Sequence, residues 1–112
     1  MYIDLWASWC SPCIAQIPDL KELEEEFKDK INFVSIAWDD DYNSWKKMIV
    51  AKKLDGIQLF AEDKESEFFN FYDVQSSGIP RFILLDKNGN IIDLIAKQPS
   101  EPSLKEQLNQ LK

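Results

Sequence analysis

The chain has 112 residues, 45% of them hydrophobic, and a formal net charge of −7; that length fits one compact domain with a real core. No apolar run approaches the ~20 residues a membrane span needs, and the acidic balance without a basic cluster argues against nucleic acid or an anionic membrane as partner. The absence of histidine excludes Ser-His-Asp and Cys-His catalysis, and two cysteines cannot complete a tetrahedral zinc site of Cys and His ligands within one chain.

Residues 1–6 predict a buried strand, because Tyr2-Ile3-Asp4-Leu5-Trp6 has apolar groups on both faces, as in a parallel sheet. Met1 falls almost inside that strand, an abrupt start that predicts a single domain, 1–112, excised from a longer protein. Residues 11–29 predict a helix, with Ile14, Ile17, Leu20, Leu23 and Phe27 at three- and four-residue spacing. Pro18 removes the N–H that would bond the Ile14 carbonyl, so a kink is expected there. Glu22, Glu24, Glu25 and Glu26 read as the solvated face of this helix. A second buried strand follows over 31–37. Asp39-Asp40-Asp41 reads as a solvated loop with one Asp capping the next helix, since it lacks the spaced acceptors and glycine of an EF-hand loop.

A helix over about 42–54 precedes a short extended piece at 57–60. Another helix, over 64–73, carries Phe68, Phe71 and Tyr72 on one face; Trp38, Trp45, Phe68 and Phe71 are assigned to the core or its rim. Phe82-Ile83-Leu84-Leu85 and Ile91-Ile92-Asp93-Leu94-Ile95 flank Lys87-Asn88-Gly89-Asn90, a strong hairpin signal. In the last helix Ser103 and Glu106 suit a capping box, with Leu104, Leu108 and Leu111 as the buried stripe. The order β-α-β-α-β-β-α predicts an α/β fold with a mixed sheet.

Chemistry concentrates at the first strand–helix junction, Trp9-Cys10-Ser11-Pro12-Cys13. With Cys10 at the N-cap, Cys13 lies less than one turn away, so the two sulfurs can meet. The N–H of Cys13 and the positive helix end then face Cys10 and favour its thiolate. Pro12 falls in the first turn, where its missing N–H costs nothing. As a staple the pair would close a tiny loop and gain little, so a reversible redox disulfide is the expected role. Cys10 is expected to be the more exposed thiol. Asp4, among Ile3, Leu5 and Trp6, is expected to be buried with a raised pKa, suited to accept the Cys13 proton. Trp9, just before the nucleophile, is expected to form a flat, partly exposed contact surface for substrate.

The stretches Asp4-Leu5-Trp6-Ala7-Ser8-Trp9-Cys10-Ser11-Pro12-Cys13, Pro18, Tyr72-Asp73-Val74, Gly78-Ile79-Pro80 and Lys87-Asn88-Gly89 together resemble the thioredoxin fold, within it the TlpA/ResA-like thiol–disulfide oxidoreductases. The resemblance implies a mixed sheet with helices on both faces and the CxxC at the N-terminus of the first helix. It implies that Cys10 attacks, Cys13 resolves, Asp4 is the buried acid behind them, and Pro80 is a cis-proline facing the site. A cis bond at the entrance to the 82–85 strand would turn the Ile79 backbone toward a substrate strand. Two departures stand out: the strand and helix that usually precede Tyr2 are missing, and Arg81 stands where related proteins often carry threonine.

The expected activity is exchange with cysteines of proteins or peptides through a mixed disulfide, without metal or organic cofactor. By resemblance the setting is extracytoplasmic in a bacterium, with a membrane partner keeping the pair reduced. A peroxiredoxin-like peroxidase would want Thr and Arg beside its cysteine, and Arg81 is the only arginine. An inert-disulfide binding module is the rival from a different class.

Overall fold

Apolar side chains on both sides of the first strand, β1 (Tyr2–Trp6), place it at the centre of a five-stranded sheet. The computed structural model describes residues 1–63 and 65–111, without the side chains of Gln75 and Ser76. Two short helices follow, α1 (Ser11–Ala15) and α2 (Ile17–Phe27), then β2 (Phe33–Ala37), α3 (Tyr42–Lys52) and β3 (Ile57–Phe60). The chain continues through α4 (Glu67–Phe71), α5 (Val74–Ser77), β4 (Arg81–Leu85), β5 (Ile91–Asp93) and α6 (Pro102–Gln110).

The strand order is β3-β2-β1-β4-β5, with β1–β2 and β2–β3 parallel and the β4 and β5 pairings antiparallel. The sheet is therefore mixed, and it is covered on both faces. One face packs Tyr2, Phe33, Phe82 and Leu84 against Leu20, Leu23 and Phe27 of α2 and Leu104 and Leu108 of α6. The other packs Ile3, Leu5, Val34 and Ile83 against Phe69 of α4 and Val74 of α5. The period-two alternation along β1 thus sends Ile3 and Leu5 to one side and Tyr2, Asp4 and Trp6 to the other.

Several expected elements are divided or shifted. The helix over 11–29 breaks at Gln16, whose N–H bonds back to the Cys13 carbonyl at 3.1 Å in a tightened turn. Pro18 then sits in the first turn of α2, where no N–H is required, instead of kinking a continuous helix. Beyond Asp73, left-handed at φ 54°, lies an unanticipated helix, α5, while the helix expected over 64–73 is observed only as α4; Lys64 lies outside the described residues. Its inward face centres on Phe69, so Phe71, assigned to the core or rim, is 69% exposed. The extended piece at 57–60 is a true edge strand in register with β2. Strand β5 ends at Asp93, beside an irregularity at Leu84/Leu85. Ser103 lies inside α6, whose N-cap is Glu101 with no side-chain capping bond, so no capping box forms. The acidic loop does cap: Asp41 accepts from the Ser44 N–H at 3.0 Å.

Candidate functional site

The parallel register of β1 points its C-terminal end into a tight loop that delivers two cysteines to the start of α1. That loop is held from outside. Asp40 accepts from the Ser8 N–H at 2.7 Å and from the Ser8 hydroxyl at 2.6 Å. The Trp9 indole donates to the Asp39 carbonyl at 2.8 Å, leaving the ring 57% exposed. The Cys10 N–H closes the turn on the Ala7 carbonyl at 3.1 Å.

Cys10 occupies the N-cap of α1 in extended conformation, and its Sγ accepts from the Cys13 N–H at 3.3 Å. Cys10 and Cys13 are joined in a disulfide with their Cα atoms 5.3 Å apart. Trp6, Ala7, Trp45, Met48, Leu54 and Ile79 pack around the pair. Cys10 is 4% and Cys13 5% exposed, so the expected greater exposure of Cys10 does not hold in this oxidised state. The physical reason is that bonded sulfurs share one apolar enclosure, and whatever covers one covers the other.

Behind the disulfide lies Asp4, buried on β1 opposite Ser35 of β2. Desolvation pushes its carboxyl up to about 7, against a hydrogen bond from Ser35 that favours the anion. Asp4 and Cys13 line one small internal cavity of about 10 Å³, together with Trp6, Ile17, Leu20 and Glu24.

On the other side of β1, the antiparallel pair Leu5–Arg81 brings the start of β4 to the end of the central strand. The half-buried Ile79 packs on the cysteine cluster, and the Ile79–Pro80 peptide bond is cis. Arg81 is buried, and among the described residues it forms no ion pair. Its Nε and Nη2 donate to the Leu94 carbonyl at 3.0 and 2.7 Å, and its Nη1 donates to the Tyr72 carbonyl and, at 2.9 Å, to the Ser77 hydroxyl. It therefore ties the Pro80 segment to α4, α5 and the chain beyond β5.

Cys10, Cys13 and Ile79 share this cluster, Asp4 reaches it through the cavity it lines with Cys13, and Trp9 stands beside a surface groove of about 420 Å³ shared with Ser8, Ser44 and Lys47. Three contributors were not anticipated. Glu24, read as solvated, is buried; its place one turn from Leu20 and next to Leu23 was the available signal. Asp40 holds the turn before Cys10, which no local pattern reveals. Arg81 braces the proline segment through carbonyls distant in sequence.

A thioredoxin-like family model matches residues 1–91. The thiol-disulfide oxidoreductase ResA of Bacillus thuringiensis subsp. konkukian is 27% identical over 112 residues, covering 99% of this chain and 62% of that protein. The solution structure of a candidate thiol-disulfide oxidoreductase from Bacteroides vulgatus is 43% identical and superposes with a TM-score of 0.82, over 98% of this chain and 71% of that one. A thiol-disulfide oxidoreductase from Bacteroides fragilis gives a TM-score of 0.81 at 27% identity, over 99% of this chain and 80% of that one. The chain thus spans about three fifths of the length of the first curated relatives it matches.

Proposed function

We propose that this chain, which belongs to the thioredoxin-like family and to its ResA/TlpA-like thiol–disulfide oxidoreductases, catalyses thiol–disulfide exchange with cysteines of proteins or peptides. The observation that carries the reading is the Cys10–Cys13 disulfide at a helix start, with the Cys13 N–H aimed at the Cys10 sulfur. An N–H at that point stabilises a thiolate on Cys10 once the bond is reduced.

In the reducing direction the Cys10 thiolate attacks one sulfur of a substrate disulfide and the other substrate sulfur leaves as thiolate. Cys13 gives its proton to Asp4, attacks Cys10 in the mixed disulfide, and releases the second substrate sulfur. A carboxyl raised to about 7 suits that transfer, being close to the operating pH. Trp9 offers substrate an exposed flat face, and Ile79 packs against the cysteine pair just before the cis bond to Pro80. The substrate backbone would pair with Ile79 as an added strand. An extracytoplasmic bacterial setting, with a redox partner that resets the pair, accords with the ResA-type relatives.

Reduction of insulin by dithiothreitol tests the reading. The parent protein should accelerate it, Cys10→Ser should abolish the acceleration, and Cys13→Ser should accumulate mixed disulfides. An unaccelerated reaction would mean an inert disulfide in a binding module.

A further inference from the structure

Helix α2 carries a carboxyl where its packing calls for an apolar side chain. Glu24 lies among the inward residues Leu20, Leu23 and Phe27, is 9% exposed, and its Oε2 has no hydrogen-bond partner. An uncompensated buried acid destabilises a fold, so its presence on a core face marks a place where something other than stability is served.

What surrounds Glu24 shows what that is. On its inner side it lines the small cavity with Asp4 and Cys13, a space at the lower limit for one water molecule. On its outer side it lines a surface groove of about 390 Å³ with Lys21, Glu25, Lys28, Asp55 and Gly56. Among the described residues only Lys21 and Glu24 border both spaces, and the Lys21 ammonium donates to the Lys52 carbonyl at 3.0 Å. Gly56 keeps the outer side open: a Cβ there would stand 3.3 Å from Glu24 Oε2.

We propose that Glu24 is the second carboxyl of a proton path running from the Cys13 thiol through Asp4 to the groove over α2. The proposal rests on the exchange reading above and supplies its missing step. When Cys13 attacks Cys10, the S–H proton moves to the Asp4 carboxylate, the Cys10–Cys13 bond forms, and the substrate sulfur leaves with the bonding pair. Asp4 is then neutral in a closed site. It passes its proton, directly or through one water, to the Glu24 carboxylate, which releases it to bulk water. Reduction of the disulfide runs the same path inward. The substrate disulfide is the oxidant and the dithiol the reductant, and no other is needed.

The groups facing Glu24 suit a carrier. Desolvation is the largest influence on its carboxyl, Asp4 on β1 and Asp55 before β3 repel a second negative charge, and Lys21 on α2 opposes them. Together they raise its carboxyl to about 7, level with Asp4, so the proton can move either way.

The test compares the parent with Glu24→Gln and Glu24→Leu, the latter guarding against a variant that merely leaves an amide unsatisfied. Single-turnover oxidation of the reduced protein by a peptide disulfide is followed against pH. Both variants should slow the Cys13 step about tenfold or more at its plateau, leave Cys10 alkylation unchanged, and make the rate rise with buffer concentration as buffer replaces the lost carrier. A profile that only moves along the pH axis, with the plateau intact, makes Glu24 an electrostatic neighbour of Asp4 and overturns the relay. Carboxyl carbon NMR of Glu24 in the oxidised and reduced protein separates the two readings. A titration that depends on the state of Cys13 in a protein inert toward insulin sinks the exchange reading and keeps the path. An identical titration in both states of an active protein sinks the path alone.

Discussion

Asp4 shows what one buried carboxyl costs the fold. Its carboxyl is raised from 3.8 to about 7 in the fold, mainly by desolvation. Below pH 3.8 the folded and unfolded chains both hold the proton and nothing is lost. Between there and about pH 7 only the folded chain holds it, so stability falls as pH rises, and the full penalty persists above. That penalty is at most ~4 kcal/mol. Asp4→Asn should therefore raise the melting temperature at pH 8, change it little at pH 4, and slow thiol exchange at neutral pH. Thermal unfolding at the two pH values, with turnover beside it, checks this; equal stabilisation at both would remove the desolvation argument. Asp4 was legible in the sequence because Ile3, Leu5 and Trp6 enclose it. Glu24 was not, because three neighbouring glutamates make its stretch look solvated although its helical position faces the core.

At the scale of the element, the junctions matter more than the helices and strands they join. Cys10 caps a short α1 that stops at Gln16, and α2 begins again with Pro18 in its first turn. In Cys13→Ser the Cys10 thiol should titrate below the ~8.5 of free cysteine, since an N–H still points at the sulfur. Alkylation rate against pH gives the midpoint, and a value at or above the free one removes the N-cap argument. The Pro80 segment has a comparable brace in Arg81. Arg81→Met should cost about 1–3 kcal/mol, because the part-buried carbonyls at Tyr72 and Leu94 lose a charged donor. It should lower activity further than stability alone requires; denaturant unfolding and turnover of the folded fraction separate the two. Asp40→Ala should cost about 1–2 kcal/mol by freeing Ser8. The central strands and the CxxC turn were readable because their signals are local: an apolar run, a proline, two cysteines. The brace at Arg81 depends on carbonyls distant in sequence, which no local period encodes.

Across the whole molecule, charge is distributed unevenly about the site. The net charge of −7 was plain from composition, but where it falls required the fold. Among the described residues, the surface ion pairs Lys28–Glu25, Lys105–Glu22 and Lys105–Glu26 involve α2, its C-cap and α6. On the Trp9 side the loop of Asp39 and Asp40 borders a groove completed by Glu62, Asp63 and Glu65, with Lys47 as the nearby cation beside Trp9. A substrate approaching the exposed indole therefore meets a negative field, which raises the local concentration of cations and lowers that of anions. Reduced protein should react with the cationic disulfide cystamine faster at low salt than at high salt. With the anionic disulfide dithiodiglycolate the order should reverse. Each rate should change severalfold between about 10 mM and 0.5 M salt, because the Debye length shrinks from ~30 Å to a few ångströms. Intrinsic reactivity differs between the two disulfides, so the opposite signs of the salt dependence carry the prediction rather than the ratio of rates. Salt slopes of the same sign would show that the acidic rim does not reach the sulfurs, and that selection rests on the contacts at Trp9, Ile79 and Pro80.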